Sequence, residues 1–143
     1  MKPSLIRTLS RIVLGIAFIV AGVNHFRDPA TYVAMIPPWL PSPEALNLIS
    51  GAAEIAGGIG VLIPRTRNAA ATGLVLLLIA VFPANLHIAL NGWAGMDIPR
   101  WILVARLPFQ FLFIAWVVFS CPGLPLFSYM KRFPPSARIF RKR

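Results

Sequence analysis

The sequence predicts an all-α protein: a bundle of four transmembrane helices, with a short interfacial helix between the first and second spans. Three observations carry this expectation. Four runs of roughly 20 mostly apolar residues follow one another, each long enough to cross a bilayer as a helix. Only 13% of residues are charged and 57% are hydrophobic, whereas a soluble domain carries about 25% charged residues. Prolines and short polar turns separate the runs.

Charge narrows the function classes. The 14 basic and 4 acidic residues give a net charge of +10. In a soluble chain that balance would suggest nucleic acid. Here the basic residues gather at the ends of apolar runs, so the expected partner is the headgroup layer of a lipid bilayer and not nucleic acid. Cys121 is the single cysteine. It allows no internal disulfide or Cys-x-x-Cys site and reads as an inert interfacial residue. No metal-ligand spacing, phosphate loop or nucleophile triad is present, so no metal is expected and no catalytic residue can be named from a motif.

The first span covers about residues 5–26. Its apolar core is Ile12 to Val23, and it reaches back to Leu5 if Arg7 and Arg11 snorkel to the headgroups. A basic start and a short apolar core would also suit a cleaved signal peptide, but no small-x-small site leading into a soluble domain follows. Asp28-Pro29 looks like a helix start, with Asp capping and Pro in the first turn. Ala30 to Ile36 is too short to span and is predicted to lie at the interface, with Tyr32 at headgroup level. Pro37-Pro38-Trp39-Leu40-Pro41 resists helix, because each Pro pushes the residue before it toward extended geometry.

Ser42-Pro43-Glu44 repeats the cap-then-proline start and opens the second span, about 43–63. Ala52, Ala56 and Gly60 recur there every four residues, beside Gly57 and Gly58, a spacing that lets membrane helices approach closely. Ala69 and Gly73 suggest the same in the third span. Pro64 ends the second span, and Thr66 or Asn68 is the expected cap of the third, about 68–90. Pro83 frees the carbonyl of Ile79, so a kink is predicted. The fourth span, about 99–120, opens at Pro99, contains Pro108 and closes at Cys121-Pro122-Gly123. Residues 124–143 carry six basic residues and no acid, and read as a cytoplasmic membrane-surface anchor. With no internal repeat, residues 1–143 form one membrane domain.

Basic residues also set the orientation. Lys2, Arg7, Arg11, Arg65, Arg67 and the six of the tail fall on one side; Arg27, Arg100 and Arg106 fall toward the other. Four spans with both termini in the cytoplasm satisfy this bias. The first and third spans then run outward.

In that topology the polar residues of four helices share one half of the membrane. Glu54 lies about 16 Å inward from Pro43 and Arg106 about 10 Å inward from Pro99. His25, Asn85 and His87 fall near the outer ends of their helices, and Gln110 one turn from Arg106. A carboxylate at such depth costs roughly 2.5–3.5 kcal/mol unless compensated. Arg106 is the expected partner of Glu54, these being the only opposite charges deep in separate spans. Two readings of the pair stay open: an ion pair that fixes helix register, and part of a working site. Axial haem ligation by His25 and His87 is the weaker reading, because both are expected at the wet interface. Asn85 is expected to satisfy backbone freed by Pro83. Phe109, Phe111 and Phe113 are expected to face lipid or to pack, rather than to form a cofactor box.

The segments RIVLGIAFIVAGVNHFRDP, SGAAEIAGGIGVLIPRTR, VFPANLHIAL and ARLPFQFLFIAWV together resemble the DoxX family of small bacterial membrane proteins. The likeness runs from about Arg11 to Val117, and the Glu54, Gly57, Gly58 element is its most recognisable part. It implies a four-helix bundle in the bacterial cytoplasmic (inner) membrane. It also implies an association with membrane redox systems that use quinone. No catalytic set carries over from it.

The first expectation is therefore a subunit of a membrane redox system that contacts quinone, with other oxidoreductase subunits as partners. The alternative is a non-catalytic assembly or interaction protein, including a homo-oligomer. Transport of a small lipid-like or anionic molecule is the third and weakest.

Overall fold

The computed structural model describes residues 4–124. The described chain is all-helical. Helix α1 spans Leu5–Arg27, α2 Pro29–Val33, α3 Pro43–Leu62, α4 Arg67–Ala80, α5 Phe82–Asn91 and α6 Arg100–Ser120. Four segments are long and apolar enough to cross a membrane: Leu5–Arg27, Pro43–Leu62, Arg67–Asn91 and Arg100–Ser120. The tail expected over 124–143 lies outside the described residues from position 125 onward.

Local chemistry explains the helix boundaries. Asp28 caps α2 by accepting from the Thr31 amide at 3.4 Å and the Thr31 hydroxyl at 2.6 Å, and Pro29 fills the first turn. Ser42 departs from the expected cap. It adopts a left-handed conformation (φ 50°) and makes no side-chain cap bond, so α3 opens on Pro43 alone. Thr66 occupies the cap position of α4, but its hydroxyl donates back to the Gly60 carbonyl at 2.9 Å. Pro83 does more than kink the third span. It divides the span at Val81 into α4 and α5. Pro108 leaves α6 continuous.

The closest packing joins α1 to α3, and the small-residue stripe proposed from spacing does not make it. Ala52 and Ala56 are exposed, as is Ala69, and Gly73 has nothing near its Cβ position. The seam is instead a pair of seven-residue repeats. A Cβ on Gly22 would lie 2.6 Å from the Gly51 carbonyl, and one on Gly58 would lie 2.6 Å from that of Gly15. The spacing of seven keeps both glycines of each helix on one face. Gly57 and Gly60 turn the other way, against Leu74 and Ala70.

One core sits toward the α3–α4 turn, built on Leu14, Phe18, Val61, Leu74 and Val117. Two expectations fail there. Arg11 does not snorkel; it is 7% exposed. It donates to the Ser120 carbonyl at 3.3 Å, where α6 ends, and to Thr8 Oγ1 at 3.4 Å. A guanidinium on terminal carbonyls satisfies orphan acceptors and the helix dipole at once. Cys121 is not interfacial but fully buried in the core. A smaller cluster of Met35, Ile88 and Leu103, with Tyr32 and Trp93 packed on it, closes the other end.

Candidate functional site

A cavity of about 660 Å³ lies between these two clusters. That volume is within the range of small-molecule sites, roughly 300–1,000 Å³. Its walls are mostly apolar, among them Phe18, Met35, Leu78, Phe109 and Phe113, and its polar groups come from separate helices. Helix α1 supplies His25, α3 supplies Asn47, Ser50 and Glu54, α5 supplies Asn85, and α6 supplies Arg106 and Gln110; Tyr32 of α2 completes the lining.

The glycine seam positions the first wall. Close approach at Gly22 and Gly51 brings the next turn of α1 against the preceding turn of antiparallel α3. A Cβ on Gly51 would in fact lie 2.6 Å from the His25 Cβ. His25 Nδ1 then meets Asn47 Oδ1 at 2.7 Å, and Asn47 Nδ2 donates to the His25 carbonyl at 3.1 Å. The Tyr32 ring stacks on the imidazole, with centroids 3.8 Å apart at 29°. His25 Nε2 lies 3.6 Å from Glu54 Oε2. That is near enough for charge attraction and too long for a hydrogen bond. Glu54 Oε2 is buried and has no hydrogen-bond partner among the described residues.

The second wall is a relay of amides. Arg106 Nε donates to Asn85 Oδ1 at 3.2 Å, and Asn85 Nδ2 donates to Gln110 Oε1 at 2.8 Å. Gln110 Nε2 donates in turn to the Leu78 carbonyl. The break between α4 and α5 at Val81 leaves carbonyls of α4 to be met by side chains, and Gln110 meets one of them. Asn85, expected to serve the freed backbone itself, bridges Arg106 to the residue that does. The Arg106 guanidinium carbon sits 5.2 Å from the centre of the Trp93 ring, whose Nε1–H donates to the Thr31 carbonyl at 2.9 Å. A cation over an indole face in a partly dry site is worth about 1–2 kcal/mol. The Tyr32 phenol between the walls is pushed above its ordinary pKa, first by burial and then by the Glu54 carboxylate, with Arg106 opposing.

Five of the six residues expected to converge, His25, Glu54, Asn85, Arg106 and Gln110, do line one cavity. His87 does not; it faces away and pairs with Asn91 one turn on, at 3.1 Å. The expected Glu54–Arg106 ion pair is also corrected. Among the described residues no carboxylate lies within 4.0 Å of Arg106, and Glu54 turns to His25. His25 is buried rather than placed at the wet interface. Phe109 and Phe113 both expose apolar surface and line the cavity. Sequence reasoning missed Asn47, Ser50, Tyr32 and Trp93 as site residues. Asn47 carried a signal: Asn47, Ser50 and Glu54 are the only polar residues from Leu46 to Ile63, and their three- and seven-residue spacing puts them on one helical face. Tyr32 and Trp93 carried none, since aromatics beside turns are usual at membrane interfaces.

A family model, Domain of unknown function (DUF8561), matches residues 14–121, and the chain belongs to that family. The match contains both glycine repeats and every polar residue of the cavity. No curated protein and no solved structure matches the chain.

Proposed function

We propose that the chain is a membrane-embedded subunit of a redox system whose cavity receives a quinone headgroup. One observation carries this reading: a mostly apolar chamber holds a carboxylate with an unpartnered oxygen on one wall and a guanidinium on the other. A quinone headgroup is a flat ring with an oxygen at each end. Arg106 suits one oxygen as a donor. Glu54 with His25 suits the other as a proton acceptor, the role carboxylates and imidazoles take in general acid–base chemistry. Trp101, Ile102, Phe109 and Phe113 line the chamber and expose apolar surface outward. Entry from the lipid, between helices, follows from that surface. The likeness to the DoxX family supports the same reading. In this proposal the α2 end is the outer one, the termini are cytoplasmic and the membrane is the bacterial inner membrane.

The test is titration of a short-chain quinone analogue into the purified protein in lipid nanodiscs, read by tryptophan fluorescence. Saturable quenching that weakens at least tenfold in Arg106→Gln, a loss of about 1.4 kcal/mol, is the expected result. Absence of saturable quenching overturns the reading and leaves an assembly protein. Reporter fusions check orientation: a cytoplasmic signal at Gly95 overturns it.

A further inference from the structure

The hydrogen bonds around His25 determine where its proton sits. Asn47 Nδ2 donates to the His25 backbone carbonyl at 3.1 Å. A carbonyl only accepts, so this contact assigns the amide nitrogen of Asn47 and leaves its oxygen facing His25 Nδ1 at 2.7 Å. An amide oxygen also only accepts, so Nδ1 carries a hydrogen. The stacked Tyr32 ring holds the imidazole plane in place. In a neutral imidazole the lone pair then belongs to Nε2, the atom 3.6 Å from the unpartnered Glu54 Oε2. Two lone pairs would face each other across 3.6 Å, and one proton between them removes the repulsion.

We propose that Asn47 is the positioning residue of a proton-holding pair. It fixes His25 in the Nδ1–H form, so that a single proton is shared between His25 Nε2 and Glu54 Oε2 on the cavity wall. The pair so charged is neutral overall. The other titratable or charged groups on this cavity are Tyr32 on α2 and Arg106 on α6.

The use of this pair toward a quinol rests on the reading above. A quinol hydroxyl gives its proton to the pair. The O–H bond breaks, its electrons stay on the ligand oxygen, a new N–H bond forms at Nε2, and the proton already present rests on Oε2. The pair passes from neutral to a single positive charge, which faces the new oxyanion, while Arg106 across the chamber holds the ligand's other oxygen.

The test is nitrogen-15 NMR of histidine-labelled protein in lipid bilayers. The His87→Gln background leaves His25 as the only histidine. The expected spectrum has a protonated Nδ1 hydrogen-bonded to an amide oxygen. Asn47→Leu is expected to lose that Nδ1–H signal in favour of an Nε2–H form. Asn47→Asp, which keeps an acceptor at Nδ1, is expected to retain it. An Nε2–H, bare-Nδ1 imidazole in the parent overturns the proposal, and so does an unchanged spectrum in Asn47→Leu. Should Asn47→Leu not fold, the parent spectrum and Asn47→Asp still decide. Quinone-analogue binding is read separately. Its absence beside the expected tautomer removes the quinone reading and keeps the pair; its presence beside the wrong tautomer does the reverse.

Discussion

Toward the α3–α4 turn, Leu14, Val61, Leu74 and Val117 are essentially fully buried, and the polar groups there are tied to one another across spans. Ser10 and Ser120 hydroxyls meet at 2.8 Å, Trp116 Nε1 donates to Ser10 Oγ at 2.9 Å, and Arg11 holds the end of α6. Toward α2 the same kinds of residue surround a hollow, and Glu54 keeps an oxygen with no partner among the described residues. Burying a polar group is inexpensive when the protein itself satisfies it and costly when it does not. The filled end therefore reads as the part that holds the bundle, and the hollow end as the part where a buried polar atom is left unsatisfied by the described residues.

The sharpest break of that contrast is Gly22→Leu. The new Cβ would meet backbone atoms of Gly51 and Ile55, which cannot swing aside as a side chain can. The expected loss is about 3 kcal/mol, measured by reversible unfolding in mixed micelles, and both ends should fail together because the seam serves both. Wild-type stability would mean the α1–α3 seam is not the organising contact.

Next comes Arg11→Leu. It removes charge-assisted bonds to Ser120 and Thr8, with an expected loss of about 2 kcal/mol, while quinone-analogue affinity in the folded fraction stays as it was. A fall in affinity at unchanged stability would blur the division between the two ends.

A pair of double-mutant cycles sharpens the hollow end. Glu54→Gln combined with His25→Gln should show a coupling of about 1 kcal/mol, whereas Glu54→Gln combined with Arg106→Gln should be additive within about 0.5 kcal/mol. The reverse ordering would restore the ion pair that shared depth suggested. The smallest effect is expected at Gly73, which points into open space. Gly73→Ala should be neutral or stabilise α4 by up to about 1 kcal/mol through helix propensity; clear destabilisation would reveal a contact on that face.

What the sequence determined by itself was position along the membrane normal. Apolar run length and prolines marked four spans, and a constant rise per residue put Glu54, Arg106, Asn85, Gln110 and His25 in the same half of the bundle. Depth is a single coordinate, and counting residues supplies it. Rotation of each helix about its own axis is different, because it depends on which faces meet. Every-fourth-residue spacing pointed to Ala52 and Ala56, yet the contact runs through Gly15, Gly22, Gly51 and Gly58, whose pairing across two helices no single helix displays. That choice of face turned Glu54 toward His25 instead of Arg106 and His87 out of the cluster. It also drew Arg11 and Cys121 inward. Only the tertiary structure decided these things, because a side chain's partner is set by the azimuth of two helices together, and azimuth is fixed by the closest backbone approach.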